Sequence, residues 1–205
     1  MIRSFLLSLT AMLCVGNVLA GPQEDFNAGR KAYLAGDVPG SMPMLRRAAD
    51  AGHAPAQSLY GYILDQAEYN EEAAVYFRRA AEQGDADGQY GLAMLHASGE
   101  GVARDPAAAR DWLERAGRQG HALATVALSQ AFLTGTLGFK TDPADGAGLG
   151  WVRKAGELGS IPALGYLAKG HRGGAFGAVD VAQAERLEKR MRELSPDNRK
   201  SAKKR

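Results

Sequence analysis

Four stretches of the chain carry the same sequence of apolar, charged and small positions. Residues 43–52 read PMLRRAADAG, residues 75–84 VYFRRAAEQG, residues 111–120 DWLERAGRQG and residues 150–159 GWVRKAGELG. Each sets a large apolar residue before a charged pair, then Ala, then a closing Gly. Glycine suits the site just past a helix end, where the chain turns through positive φ. The closing glycines Gly52, Gly84, Gly120 and Gly159 stand 32, 36 and 39 residues apart. A second helical pattern follows each of them: His53-Ala54-Pro55-Ala56 leads into Leu59-Tyr60-Gly61, and Asp85-Ala86-Asp87-Gly88 into Leu92-Ala93. His121-Ala122-Leu123-Ala124 leads into Leu128-Ser129, and Ser160-Ile161-Pro162-Ala163 into Leu167-Ala168. Small residues recur four and seven positions apart on one face, so neighbouring helices can approach closely while larger residues fill the groove beside them.

The other helix of each unit has its own start signals. Asp105-Pro106 and Asp142-Pro143 each set an N-cap acceptor before a proline at the first helical position. Asn70-Glu71-Glu72 reads as a cap followed by two acids where the helix dipole favours negative charge. The unit is therefore helix, turn, helix. One such pair cannot bury its apolar face alone, so pairs must stack. The spacing predicts pairs near 24–52, 54–84, 86–120, 122–159 and 161–194. Pro39 and Pro43 make the first irregular, and the last carries the Gly-rich insertion Gly170 to Gly177. The expected fold is all-α, a solenoid of stacked antiparallel helix pairs spanning residues 21–195.

Composition adds two things. Lys plus Arg is 25 and Asp plus Glu is 23 in 205 residues, a balance that argues against a nucleic-acid partner. The charge is concentrated at the end, however, with Arg199, Lys200, Lys203, Lys204 and Arg205 in a tail, 196–205, expected to be disordered. That tail could make a weak contact with an anionic envelope surface. At the other end, Arg3, the apolar run Phe5 to Val18 and Val18-Leu19-Ala20 read as a secretory signal peptide, residues 1–20, cut between Ala20 and Gly21. The run is too short and too diluted by Ser8, Thr10 and Asn17 for a membrane span. Leu13 before Cys14 suits a lipoprotein peptidase poorly. Cleavage would remove Cys14, the only cysteine, and leave a periplasmic or secreted protein with neither thiol nor integral membrane segment.

The repeating unit resembles the Sel-1-like repeat (SLR) family, a relative of the tetratricopeptide repeats. Residues 85–120 carry it most clearly, with Ala86, Leu92-Ala93, Gly99-Glu100-Gly101-Val102, Asp105, Ala109, Trp112, Ala116 and Gly120 in family order. Residues 54–84 lack the GxGV loop, and Phe139 stands in for its Val in the next unit. The resemblance implies a right-handed superhelical scaffold for protein–protein contacts, often periplasmic or secreted in bacteria. Some cysteine-rich relatives have been discussed as penicillin-binding or β-lactamase-like, but their paired cysteines are absent here.

The residues themselves assemble no chemistry. His53 and His121 follow closing glycines; His96 and His171 fall on the inner face of the first helix of a pair, and all four read as helix-start or packing residues. No HExxH, CxxC or calcium-loop spacing occurs. Asp85-Ala86-Asp87-Gly88 reads as helix capping, and Gly146 to Gly150 lacks the strand and spacing of a phosphate loop. Ser201-Ala202-Lys203-Lys204 matches SxxK only formally, because a nucleophile needs a rigid base and oxyanion donors. The expectation is a non-enzyme with no catalytic residue, metal ligand or cofactor, whose partner is a protein or peptide. By the tetratricopeptide-like register the concave face carries Arg30, Tyr33, Tyr62, Asp65, Tyr90, Met94, Gln130, Lys169 and Arg172. Tyr, Met and Arg are enriched at interface hot spots; the competing reading packs Tyr60, Tyr62 and Tyr90 between repeats. The alternatives are a cell-wall-associated, β-lactamase-like hydrolase and a secreted effector that binds a host protein.

Overall fold

Thirteen residues, just under four turns, is the recurrent helix length. The structure, a computed structural model, describes residues 21–195; the expected signal peptide with Cys14 and the basic tail 196–205 lie outside the described residues. Ten helices follow one another: α1 (Pro22–Leu34), α2 (Val38–Asp50), α3 (Ala54–Gln66), α4 (Asn70–Glu82), α5 (Ala86–Ser98), α6 (Pro106–Arg118), α7 (Ala122–Thr134), α8 (Gly146–Glu157), α9 (Ile161–Gly173) and α10 (Val181–Leu194). No strand occurs among the described residues. Each odd helix packs on the even helix after it, each even helix packs on the next odd one, and α1–α3, α3–α5 and α7–α9 also touch. The chain is thus an α-solenoid of stacked antiparallel pairs.

The closing glycines end the even helices by backbone conformation. Gly52, Gly84, Gly120 and Gly159 have φ between 87° and 89°. In each case the next residue's amide reaches back to the helix: His53 N–H donates to the Ala48 carbonyl, Asp85 to Ala80, His121 to Ala116 and Ser160 to Ala155. That six-residue closure satisfies carbonyls the helix would otherwise leave orphaned. It also aims the chain straight into the next odd helix, which is why pairs stack with so little loop.

Capping at the odd and even starts follows the same economy. Asp105 accepts from the amides of Ala107 and Ala108, both at 3.0 Å, and Asp85 accepts from Gly88. Two sequence expectations are corrected here. The helix after the long loop does not begin at Asp142-Pro143: Asp142 accepts from the Ala144 amide within a turn, and Asp145 caps α8 through Ala147 and Gly148. Packing decides this, because Gly148 must abut the Phe132 ring, where a Cβ would overlap the ring carbons. Nor is Asn70 a cap. It is the first residue of α4, Tyr69 precedes it with no capping bond, and Glu71 and Glu72 alone meet the dipole. Pro43 sits inside α2 without breaking it.

The core runs as two clusters that meet at α5. Leu45, Leu64, Phe77, Leu92 and Leu95 belong to the first; Ala93, Leu113, Leu128, Phe132 and Val152 to the second, and Trp112 packs against both. Leu45, Leu92 and Leu128 are wholly buried, each contributing about 1.5–3 kcal/mol of transfer free energy. Phe139, the residue standing at the Val102 position, is buried edge-on to Phe132, with the Arg110 guanidinium 3.7 Å from its centroid.

Polar side chains cross-link the pairs. Gln57 donates to the Ala49 carbonyl and accepts from Gln83; Gln89 donates to the Ala81 carbonyl and accepts from Gln119. Buried glutamines of this kind stay only where their bonds are satisfied. The ladder stops at the next unit, where Thr125 bonds back to the His121 carbonyl. In the first pair Asp25 receives two bonds from Arg47, at 2.9 and 2.6 Å. Those hydrogen bonds, reinforced by the guanidinium charge against the effect of burial, hold the Asp25 carboxyl below its usual range.

Candidate functional site: a cleft along the inner helices

Because the loops between pairs are short, the odd helices line up side by side and leave their outward faces as one surface. A cleft of about 630 Å³ opens on it. Phe26, Arg30 and Tyr33 contribute from α1; Ser58, Leu59, Tyr62 and Asp65 from α3; Tyr90, Met94 and Leu95 from α5; and His121 and Leu123 from the start of α7. Glu100, in the loop after α5, lines it as well. Tyr62 and Met94 remain 45% and 40% exposed within it.

Six of the nine residues expected on the concave face meet in this cleft: Arg30, Tyr33, Tyr62, Asp65, Tyr90 and Met94. The other three do not. Gln130 is exposed on α7, Lys169 is exposed on α9, and Arg172 is engaged by Glu188 of α10 at 2.8 Å. Gly21 flanks α1, and Ala20 lies outside the described residues. The tyrosines divide between the two readings offered for them. Tyr60 is buried edge-to-face on Tyr76 with centroids 4.9 Å apart, whereas Tyr62 faces the cleft. Tyr90 does both, lining the cleft while stacking on His121 at 4.9 Å.

His53 and His121 start helices, as their place after the closing glycines implies, and they also build part of the cleft. His53 and His121 cap α3 and α7: the amides of Ala56 and Ala124 donate to their Nδ1 atoms, each at 3.1 Å. Nδ1 must then be the unprotonated nitrogen, and Nε2–H donates back to the preceding inner helix, to Gln23 from His53 and to Asp87 from His121. Their rings lie on Phe26 and Tyr90. Each histidine thus fixes an aromatic wall of the cleft while starting a helix. The signal was present in the matched placement of His53 and His121 after their glycines, with an aromatic residue 27 to 31 positions earlier. His96 faces the loop, its Nδ1 3.3 Å from the Ala103 carbonyl, and His171 is edge-on to Phe176. Among the described residues, no three His, Cys, Asp or Glu gather as metal ligands, and no helix is long and apolar enough to cross a membrane.

The electrostatics of the cleft are uneven. Asp65 is half-buried; burial raises its carboxyl above the ordinary range, repulsion from Glu100 adds to this, and a hydrogen bond from Gln66 opposes it. Burial likewise raises the Tyr90 phenol.

Comparison with known families settles the architecture. Three successive segments, residues 54–85, 86–121 and 122–160, match the Sel1 repeat, together just over half of the chain. The chain belongs to the Sel1 repeat family. The matched segments are the second, third and fourth pairs, which supply most of the cleft. A crystal structure of a Sel1 repeat protein from Oxalobacter formigenes is similar at 25% identity with a TM-score of 0.71, over 82% of this chain and 68% of that one. That of c5321, a protective antigen present in uropathogenic Escherichia coli strains and displaying an SLR fold, is similar at 20% identity with a TM-score of 0.55, over 84% of this chain and 46% of that one. This second likeness is one of fold. No curated protein matches the sequence. Sel1 repeat proteins are in general protein-interaction scaffolds and are typically non-catalytic.

Proposed function

We propose that this Sel1 repeat chain is an exported adaptor, periplasmic or secreted, that holds a peptide or a segment of a partner protein in the cleft along α1, α3, α5 and α7. The observation that carries the reading is the exposure of Tyr62 and Met94 side by side on successive inner helices, above a buried core that needs neither of them. Large side chains kept at a surface that stability does not require are the usual anchors of an interface. The N-terminal pattern Arg3, Phe5 to Val18 and Ala20 supports export. The rigid walls set by His53 and His121 support a preformed groove, which loses little entropy on binding.

Placing a photo-crosslinking residue at Met94 in the native cell, with the same residue at exposed Arg78 on α4 as control, tests this. The expected result is a discrete adduct from position 94 and none from 78, in a periplasmic or extracellular fraction. Tyr62→Ala should weaken the captured interaction on the order of 30-fold, the worth of a hot spot, while leaving the circular dichroism unchanged. An adduct pattern identical at both positions, or a partner unaffected by Tyr62→Ala, overturns the assignment of the cleft. Cytoplasmic retention of the full chain overturns export.

A further inference from the structure

Within the cleft, two carboxylates, Asp65 and Glu100, form no ion pair among the described residues. Asp65 lies on the last turn of α3 and Glu100 in the loop after α5, close enough for one to repel the other. Their neighbours do not neutralise them: Gln66 offers Asp65 a neutral hydrogen bond, and Ser98 Oγ donates to Glu100 at 3.1 Å. Asp87, further along the wall, is turned to His121. Arg30 lines the cleft from α1 but forms no ion pair with either carboxylate among the described residues. Tyr62, one helical turn before Asp65, and Met94 line the same cleft, as do Phe26, Leu59 and Leu123. Placing two like charges in one cleft, with Asp65 half-buried, disfavours the folded state. A ligand that brings a cation relieves that repulsion, and one that brings hydrocarbon covers the exposed tyrosine and methionine.

Resting on the reading of this cleft as the binding surface, we propose that it selects partner segments presenting a lysine or arginine flanked by large apolar residues. The cation faces Asp65 and Glu100, and the apolar neighbours lie over Tyr62 and Met94. Long basic side chains suit this placement, since their methylene stems pack on apolar surface while the charged head reaches an acid. Tyrosine at the same wall adds an aromatic face to the cation. The chain's own tail is the poorer match. Residues 196–205 (PDNRKSAKKR) carry the cations but no large apolar side chain.

The test uses the full chain and three fluorescent peptide libraries, each with two degenerate positions of Leu, Ile, Phe, Met and Tyr on either side of a fixed centre, which is Lys, Gln or Glu. Anisotropy titrations should show the Lys library binding at least about tenfold more tightly than the Glu library. The double variant Asp65→Asn/Glu100→Gln should erase that difference. Equal binding of Lys and Glu libraries to the native chain, or a preference that survives the double variant, overturns the proposal. If the Gln library still binds and Tyr62→Ala abolishes it, only charge selection has failed and the cleft stands as a binding surface. If none of the three binds, both readings fall. A synthetic peptide of residues 196–205 binding as tightly as the Lys library makes the tail the occupant and overturns the proposal. So does a dimer, seen by sedimentation, that the double variant dissolves.

Discussion

Replacing Gly101 by Ala separates the two reasons a glycine can be required. Gly101 has φ +65°, a left-handed conformation that costs an L-residue about 1 kcal/mol. A Cβ there would also overlap the Asn70 carbonyl and lie 2.6 Å from the Glu71 amide nitrogen. Those are backbone atoms at the start of α4, so no side chain can swing away. The loop after α5 and the second pair must separate, an overpacking penalty of about 1–3 kcal/mol. The sum is about 2–4 kcal/mol. Gly120→Ala is the control: its φ is +87°, but nothing lies within 4 Å of a Cβ, so it bears the conformational term alone. With a urea m-value of about 2 kcal/mol/M, Gly101→Ala should lower the midpoint by about 1–2 M and Gly120→Ala by about 0.5 M. Far-UV circular dichroism reads the helices, and the fluorescence of Trp112, which packs against both core clusters, and of Trp151, buried in the second, reads the core. Because Glu100 is carried on the same loop, Gly101→Ala should also disturb the cleft. Equal midpoint losses for the two variants would refute the reasoning, since the loop would then not be wedged against α4.

Two further outcomes follow from single buried groups. Ser129 occupies the position held by Gly61, Ala93 and Ala168 in the other inner helices, and its hydroxyl is buried without a hydrogen-bond partner. Ser129→Ala should raise stability by about 1 kcal/mol, and a lower urea midpoint would show that the hydroxyl is bonded after all. The Tyr76 phenol, raised to about 12 by burial, by its hydrogen bond to Asp50 at 2.8 Å and by the nearby carboxylate charge, should ionise well after an ordinary tyrosine when absorbance at 295 nm is followed. Its stabilising contribution is complete below pH 10, the unfolded value, and is lost as pH rises through about 12. Denaturant or Asp50→Asn should bring the late step down; an unchanged titration would refute the link between α2 and α4.

The unit of this fold was legible because it is local. A closing glycine, a cap and a stripe of small residues each act within a few residues, so Gly52, Gly84, Gly120 and Gly159 announced the pair ends without reference to the rest of the molecule. The same locality explains the errors. Asp142-Pro143 and Asp145-Gly146 are both acceptable starts for α8, and the contact of Gly148 with Phe132 chooses between them. Asn70 is a good cap by type, yet α4 begins one residue early, leaving Tyr69 at the junction.

The cleft was only partly legible. Helical register puts Arg30, Tyr33, Tyr62, Asp65, Tyr90 and Met94 on one face, and neighbouring inner helices keep them together. Gln130, Lys169 and Arg172 share that register but not the cleft, and Arg172 is taken by Glu188 from α10, a contact no spacing within α9 could reveal. The glutamine ladder was visible in principle, since Gln57 to Gln89 and Gln83 to Gln119 repeat with the units. What made it a ladder was the burial of their amides between helices. The sequence by itself thus determined the helices, their glycine-closed ends and their order of stacking, because those depend on near-neighbour propensity and periodicity. Tertiary structure decided which exposed residues share a surface and which charges form no ion pair there among the described residues, because both depend on how side chains from different pairs are oriented once the pairs have docked.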